Sequence, residues 1–496
     1  MGVIARQSIK GALANYIGVA IGFFVSFFVL TRYLTQEEIG LTRVMVDAAM
    51  LFSSLAQLGT NSSIIRFFPY FKDGRNNHGI FGLSVLLPLT GFSLFALAFL
   101  VFREPLLATY TKNAPLVADY FGLLPMLTFF ALYTTVFETN ASVLLRITVP
   151  KLVREVGIRL FNLAAYLLYG FGIIDFDTFV WLFCGSYAVA MLLNLFYLLS
   201  LGHISFRIER GFLDRKKIKE IAYYSLFTTV TVLAGNIPLI NSLFLGAKSG
   251  LALTGVYTIA SYIANVVEIP NRSLGAISRP VIAAAVKEGN WGEVNRLGRQ
   301  VSLHQVLTSL LIFYLIWINI DTLFAVIPNG LDYAPGVGVV FILWLAKALN
   351  SSLSVGTDIL NFSRHYPWGL LFCTTLTASA ILLNMTLIDI MDINGAASAT
   401  LCSYVIYFAL LNTFLWIKLR VIIFCRGHLK MIVLIGVLLL LNLAWNRWMT
   451  PTLGLPLIIG AILKTAVLGG LAVATVLLWK VSPTVNGMIL HFKKKL

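Results

Sequence analysis

Fourteen apolar runs recur along this 496-residue chain, each long enough to cross a hydrocarbon core of roughly 30 Å. They fall at 11–34, 41–64, 80–102, 115–138, 156–173, 178–201, 221–245, 252–275, 302–326, 336–359, 366–388, 395–417, 429–449 and 455–479. In lipid, every backbone N–H and C=O must find its partner inside the protein. A run of helix length does so within one segment, whereas barrel strands are shorter and alternate in polarity. The predicted fold is therefore an all-α polytopic membrane protein with about 14 transmembrane helices. Composition agrees: 12% of residues are charged, about half the share of a soluble domain.

Charge gives the topology. With the N-terminus in the cytoplasm, 29 of the 37 Lys and Arg residues fall in cytoplasmic segments and only six in outer ones; Lys347 and Lys464 lie within spans. Outer turns carry Asp175, Asp177, Asp321, Asp332, Asp389 and Asp392 instead. That bias is the positive-inside rule, and it places both termini in the cytoplasm. The net charge of +16 then reads as topology and attraction to the anionic inner leaflet, so the phospholipid bilayer is an expected partner and nucleic acid is not. The first run is too long for a signal-peptide core, so a retained first helix is expected.

The chain also repeats. Gly40 aligns with Gly255 at an offset of 215, as does Lys72-Asp73-Gly74 with Lys287-Glu288-Gly289. Pro150 aligns with Pro367, Asp175 with Asp392, and Ser186-Tyr187 with Ser403-Tyr404, at an offset of 217. Six helices per copy is an even number, so the copies are parallel, related by an axis along the membrane normal. The expected organisation is a six-helix lobe at 1–202, a basic cytoplasmic connector at 203–220, a second six-helix lobe at 221–420, and two extra helices with a basic tail at 421–496. A duplicated membrane chain is the usual architecture of a transporter, with its path at a central cavity between the copies.

Several chemistries are not expected. Loops are too short to hold an extramembrane catalytic domain, and no P-loop glycine pattern is present, so neither an enzyme nor an ATPase is predicted. His78, His203, His304, His365, His428 and His491 form no metal-spaced pair, and Cys184, Cys373, Cys402 and Cys425 show neither zinc nor disulfide spacing. No metal or cofactor is expected beyond a coupling H+ or Na+.

What remains is polar residues inside spans, where they are costly and usually face water or a partner. Ser261, Asn265, Glu268 and Arg272 fall at i, i+4, i+7 and i+11 of one run. Lys347, Asn350, Ser354, Asp358 and Asn361 line another, and Thr128, Thr135, Glu138, Ser142 and Arg146 line its repeat counterpart. Arg43, Asp47, Ser54, Gln57 and Asn61 share one sector of the second run. These stripes are read as walls of a water-filled, partly cationic cavity. Other readings stay open: Arg66, Arg146, Arg272 and Arg279 lie where arginines snorkel to phosphate, Asp47 and Lys347 could serve in structural ion pairs, Glu268 and Arg272 could neutralise each other, and Lys464 could be a packing residue.

The segment Leu30-Thr-Arg-Tyr-Leu-Thr-Gln-Glu-Glu-Ile-Gly40, with Leu58-Gly59 and Ile65-Arg66-Phe-Phe-Pro69, resembles the opening of polysaccharide-transport proteins. These are members of the multidrug/oligosaccharidyl-lipid/polysaccharide exporter superfamily, and the resemblance extends over nearly the whole chain. It implies a flippase that moves undecaprenyl-pyrophosphate-linked repeat units of O-antigen (in lipopolysaccharide), capsule or exopolysaccharide from the cytoplasmic to the outer leaflet of a bacterial inner membrane. Polysaccharide polymerase machinery is then an expected partner. A pyrophosphate crossing hydrocarbon needs cationic, hydrogen-bonding partners. Arg66, Arg146, Arg272, Arg279 and Lys347 are the candidates, with Arg32 and Arg43 at the outer mouth and Asn61, Ser261, Asn265, Asn350 and Ser354 as polar lining. Asp47, Glu138, Glu268 and Asp358 are candidate ion-coupling carboxylates. Two alternatives stand beside this. Cation-coupled drug exporters of the superfamily tend to use carboxylates in the first or seventh helix, and neither 11–34 nor 221–245 contains one. A membrane glycosyltransferase or polymerase would need a large outer loop or a carboxylate pair, and neither is evident.

Overall fold

The computed structural model describes residues 3–72, 77–202, 214–234, 236–453 and 455–479. Residues 203–213 of the basic connector and the Lys493-Lys494-Lys495 tail lie outside them. All regular structure among the described residues is helical. The main helices are α1 Val3–Phe24, α2 Gln36–Ala56, α3 Thr60–Phe71, α4 Ile80–Thr111, α5 Leu124–Val143, α6 Ile158–Gly170, α7 Phe176–Ser200, α8 Arg215–Ala234, α9 Ile237–Lys248 and α10 Leu251–Asn265. They continue with α11 Ile269–Lys287, α12 Trp291–Trp317, α13 Ile320–Val326, α14 Val337–Phe362, α15 Trp368–Phe414, α16 Arg426–Ala444, α17 Leu457–Lys464 and α18 Gly470–Leu478.

By length and apolarity, 11 helices among the described residues can cross a membrane, or 12 if one bent pair counts as a span. The fourteen expected from the sequence are not reached on that measure, for three physical reasons. Helix α8 and helix α9 meet at a 55° bend and divide one run between them. The run at 156–173 is part of the continuous helical stretch from Thr148 to Gly170, whose first half carries Lys151, Arg154, Glu155 and Arg159, too many charges for an apolar span. The eleventh and twelfth runs form the single element α15, two helices joined at a kink where Asp392 takes φ 47°. Pro238 and Pro270, which interrupt apolar runs in the sequence, each occupy the first turn of a helix that follows a break, where a missing N–H costs nothing.

The chain divides into two compact units, Met1–Ile259 with Ile381–Ala396, and Ala260–Ala380 with Ala397–Leu496. The first therefore takes in α8 and α9, beyond the connector. In this unit α5 packs against α2, α4 and α7, around Leu132, Tyr133, Val136, Phe137 and Leu198. Leu94, Leu97 and Leu100 of α4 are exposed and apolar. They form the surface a lipid-facing helix needs. The second unit gathers α12, α14, α16 and α18 around Phe313, Tyr314, Trp344, Leu434 and Leu468. Phe313 and Trp344 stack there at 3.8 Å.

The residues of the opening motif have structural work to do. Thr35 caps α2: its hydroxyl accepts from the Glu38 amide (3.3 Å), and the Glu38 carboxylate accepts from the Thr35 amide (2.8 Å). The other Glu38 oxygen accepts from Tyr169 Oη at 2.6 Å. Gly40 lies against the Leu251 carbonyl, and Gly255 lies against the Gln36 carbonyl. Residues 36 and 40 thus meet 251 and 255, so the crossing is reciprocal between positions 215 apart. A Cβ at either glycine would sit inside van der Waals distance of a backbone carbonyl. Gly40→Leu and Gly255→Leu are each expected to cost about 1–3 kcal/mol as overpacking, read as a lowered Tm of the purified protein. An unchanged Tm in both would show that the crossing opens freely.

Helices α16 to α18 are tied to α12 and α13 by hydrogen bonds at three levels. Ser302 Oγ meets His428 Nε2 at 3.0 Å, Tyr314 Oη donates to the Leu438 carbonyl at 3.1 Å, and Asn319 Nδ2 donates to Thr465 Oγ1 at 2.7 Å. Lys464 Nζ donates to Asn446 Oδ1 (2.7 Å) and to the Ile318 carbonyl (2.5 Å) just beyond the end of α12. Lys464 thus satisfies backbone that the α12–α13 break leaves open.

Candidate functional site

Two polar lines meet in the second unit. Glu268 stands in the 3-10 turn Val266–Glu268, where the helical register shifts between α10 and α11. Its Oε1 accepts from Lys347 Nζ of α14 at 2.9 Å. Further along, Asn271 Nδ2 donates to Ser351 Oγ at 2.6 Å, and Arg279 Nε donates to Asp358 Oδ2 at 3.0 Å. The partners are 79, 80 and 79 residues apart. A constant offset means that α11 and α14 run parallel. Their stripes are sewn to one another by charge, amide and charge in turn. Gln305 of α12 adds a fourth polar group, accepting from Ser354 Oγ at 3.4 Å.

In the first unit, Arg43 Nε donates to Asp47 Oδ2 at 2.6 Å across one turn of α2. The Ser242 hydroxyl of α9 donates to the same oxygen. Below it, Asn236 Nδ2 donates to Ser54 Oγ at 2.8 Å. Here the partners converge in sequence, so α2 and α9 are antiparallel. Ser63 and Ser225 continue the polar seam between α3 and α8 at 2.6 Å. Glu138 accepts from Arg154 Nη1 at 2.8 Å.

All four carboxylates proposed for ion coupling are therefore salt-bridged, and three of their partners (Arg43, Arg279 and Lys347) are proposed substrate cations. Arg66 is exposed, with its guanidinium 4.3 Å from the Tyr224 ring centre, a cation–π contact. Arg32 lies 5.7 Å from the Tyr33 ring. Arg146 is exposed just past the end of α5. Arg272 is on α11, but its side chain lies outside the described residues. Asn61 Oδ1 and the Ser261 hydroxyl are buried without a partner among the described residues. Asn265 is exposed and Asn350 half-buried. Asn271, Ser351, Gln305, Ser242, Tyr224 and Arg154 were not among the sequence candidates. Asn271 and Ser351 follow Glu268 and Lys347 by three and four residues, the helical spacing that marks them as stripe members.

Helices long and apolar enough to cross a bilayer, with ion pairs set along them, define the class as a multi-pass membrane protein. The chain belongs to a particular family within it: the model of the family described as polysaccharide biosynthesis protein matches residues 5–285. The fold is similar to a structure of the lipid II flippase MurJ in an inward closed conformation (12% identity, covering 93% of this chain and 98% of that one, TM-score 0.70). It is also similar to an inward-facing multidrug resistance MATE family transporter of the MOP superfamily (15% identity, 83% and 98%, TM-score 0.58). A MOP superfamily transporter from Pyrococcus furiosus, described as having a binding pocket of reverse polarity, matches too (11%, 83% and 95%, TM-score 0.53). No curated protein sequence matches the chain. The fold is thus that of the flippases and exporters of this superfamily.

Proposed function

We propose that this protein flips undecaprenyl-pyrophosphate-linked oligosaccharide repeat units from the cytoplasmic to the outer leaflet of a bacterial inner membrane, by alternating access, for surface polysaccharide synthesis. The observation that carries the proposal is Lys347 held inside a span of a polysaccharide biosynthesis protein, with Arg279 eight residues past the end of the neighbouring span. A pyrophosphate dragged through hydrocarbon needs such groups, and a neutral substrate does not. The fold shared with a lipid II flippase supports a lipid-borne cargo. Arg66, Arg146, Arg272, Arg279 and Lys347 receive the headgroup from the cytoplasmic side, with Arg32 and Arg43 at the outer mouth. The repeats at 1–202 and 221–420 are the halves that reorient, with both termini cytoplasmic. A proton or sodium gradient acting on Asp47, Glu138, Glu268 or Asp358 supplies the bias between states.

The test is transport of a lipid-linked oligosaccharide in sealed vesicles under an imposed proton or sodium gradient. Protein-dependent appearance of the glycan on the far leaflet, faster under one gradient, is the expected result. Rates indifferent to both gradients would remove the coupling, and no protein-dependent transport at all would remove the flippase. For topology, reporter fusions near residues 176 and 391 are expected to report the outside, and fusions after 210 and 290 the cytoplasm. A cytoplasmic report at 391 would overturn the parallel repeat.

A further inference from the structure

The ion pairs differ in how firmly they are closed. Asp47 is only 2% exposed and is held by Arg43 and by Ser242. That carboxylate is sealed between helices. The Glu268 carboxylate is more open, at 24% side-chain exposure, and accepts one bond from Lys347 Nζ, whose side chain is 12% exposed against 22% for Arg43. Arg279 is more open still, at 57%, and among the described residues it meets Asp358 through Nε alone. Its terminal amines therefore keep donors for another acceptor.

We propose that Glu268 and Asp358 are intramolecular stand-ins for the anionic headgroup: they hold Lys347 and Arg279 when the site is empty and are displaced when a pyrophosphate arrives. This deepens the proposed function and rests on its assignment of Lys347 as a substrate cation. An unpaired cation inside a span is costly, so a carrier returning empty needs its cations neutralised from within. A partly buried ion pair is close to break-even against its desolvation. It therefore yields to a ligand with more charge and more acceptor oxygens on the same cation. Asn271–Ser351, lying between the two pairs on the same helices, keeps α11 and α14 in register while the charges exchange partners. The exchange also explains why each stripe carries both signs of charge.

The test is binding of farnesyl pyrophosphate to the full-length protein in zwitterionic phosphatidylcholine nanodiscs, which removes competing anionic headgroups. Glu268→Gln is expected to bind roughly tenfold more tightly than the unaltered protein, because the competing charge is gone. Asp358→Asn should show a smaller gain at the more solvated pair. The double variant Glu268→Gln/Lys347→Met removes both charges of the pair and is expected to lose the gain and bind more weakly than the unaltered protein. If the double variant binds weakly but Glu268→Gln binds no better than the unaltered protein, the stand-in role is overturned and Lys347 remains a substrate cation. If the double variant binds as tightly as Glu268→Gln alone, Lys347 is not a headgroup ligand, and the underlying assignment fails.

Discussion

Replacing Lys347 by glutamate is expected to abolish surface-glycan export, by at least about 100-fold, while the protein still accumulates in the membrane. The substitution does two things at once. It removes a cation from the headgroup path, and it sets a second carboxylate where Nζ now stands 2.9 Å from Glu268 Oε1. Two like charges that close within a span repel. Arg272→Glu, on the same helix as Asn271 and Arg279, is expected to act in the same direction. Export is read as glycan displayed at the cell surface and abundance as protein in the membrane fraction. Normal display from both variants would take these residues out of the substrate path.

The second large effect is on stability. Asp47→Ala leaves the Arg43 guanidinium and the Ser242 hydroxyl without the carboxylate that both now donate to. Breaking one side of a buried pair typically costs about 3–5 kcal/mol, so the purified variant should melt well below the unaltered protein. The double variant Arg43→Met/Asp47→Leu is expected to recover most of that loss, since no uncompensated charge remains. A single variant that melts normally would show that the Asp47 carboxylate adds nothing to the hold between α2 and α9.

Both expectations depend on contacts that the sequence shows only in part. The Arg43–Asp47 pair was within reach of sequence reasoning, because i, i+4 spacing on a helix brings the two side chains together whatever the fold. The reading of Asp47 as an ion-pair member therefore stood open from the start. The third participant, Ser242, is 195 residues away and carries no local signal. Glu268 and Arg272 also share i, i+4 spacing, yet the acceptor for Lys347 Nζ is Glu268, 79 residues distant. Lys464 reads in sequence as a lone charge in an apolar run. Its role follows from the break between α12 and α13, which frees the Ile318 carbonyl beside it.

The opening motif marks a different limit. Thr35 and Glu38 spell out a capping box, and the structure forms it. Gly40 and Gly255 are visible as a repeat match, but nothing in the linear chain says that they close on each other's helices. Hydropathy and charge bias are local sums, because lipid and the membrane surface act on each segment separately. The all-helical membrane class, the approximate position of most spans and the polar stripes were accordingly legible from the sequence alone. Where a span breaks and which carboxylate neutralises which cation were decided by tertiary structure. Those choices depend on side chains 79 to 195 residues apart being brought within hydrogen-bond reach, and only packed helices can do that.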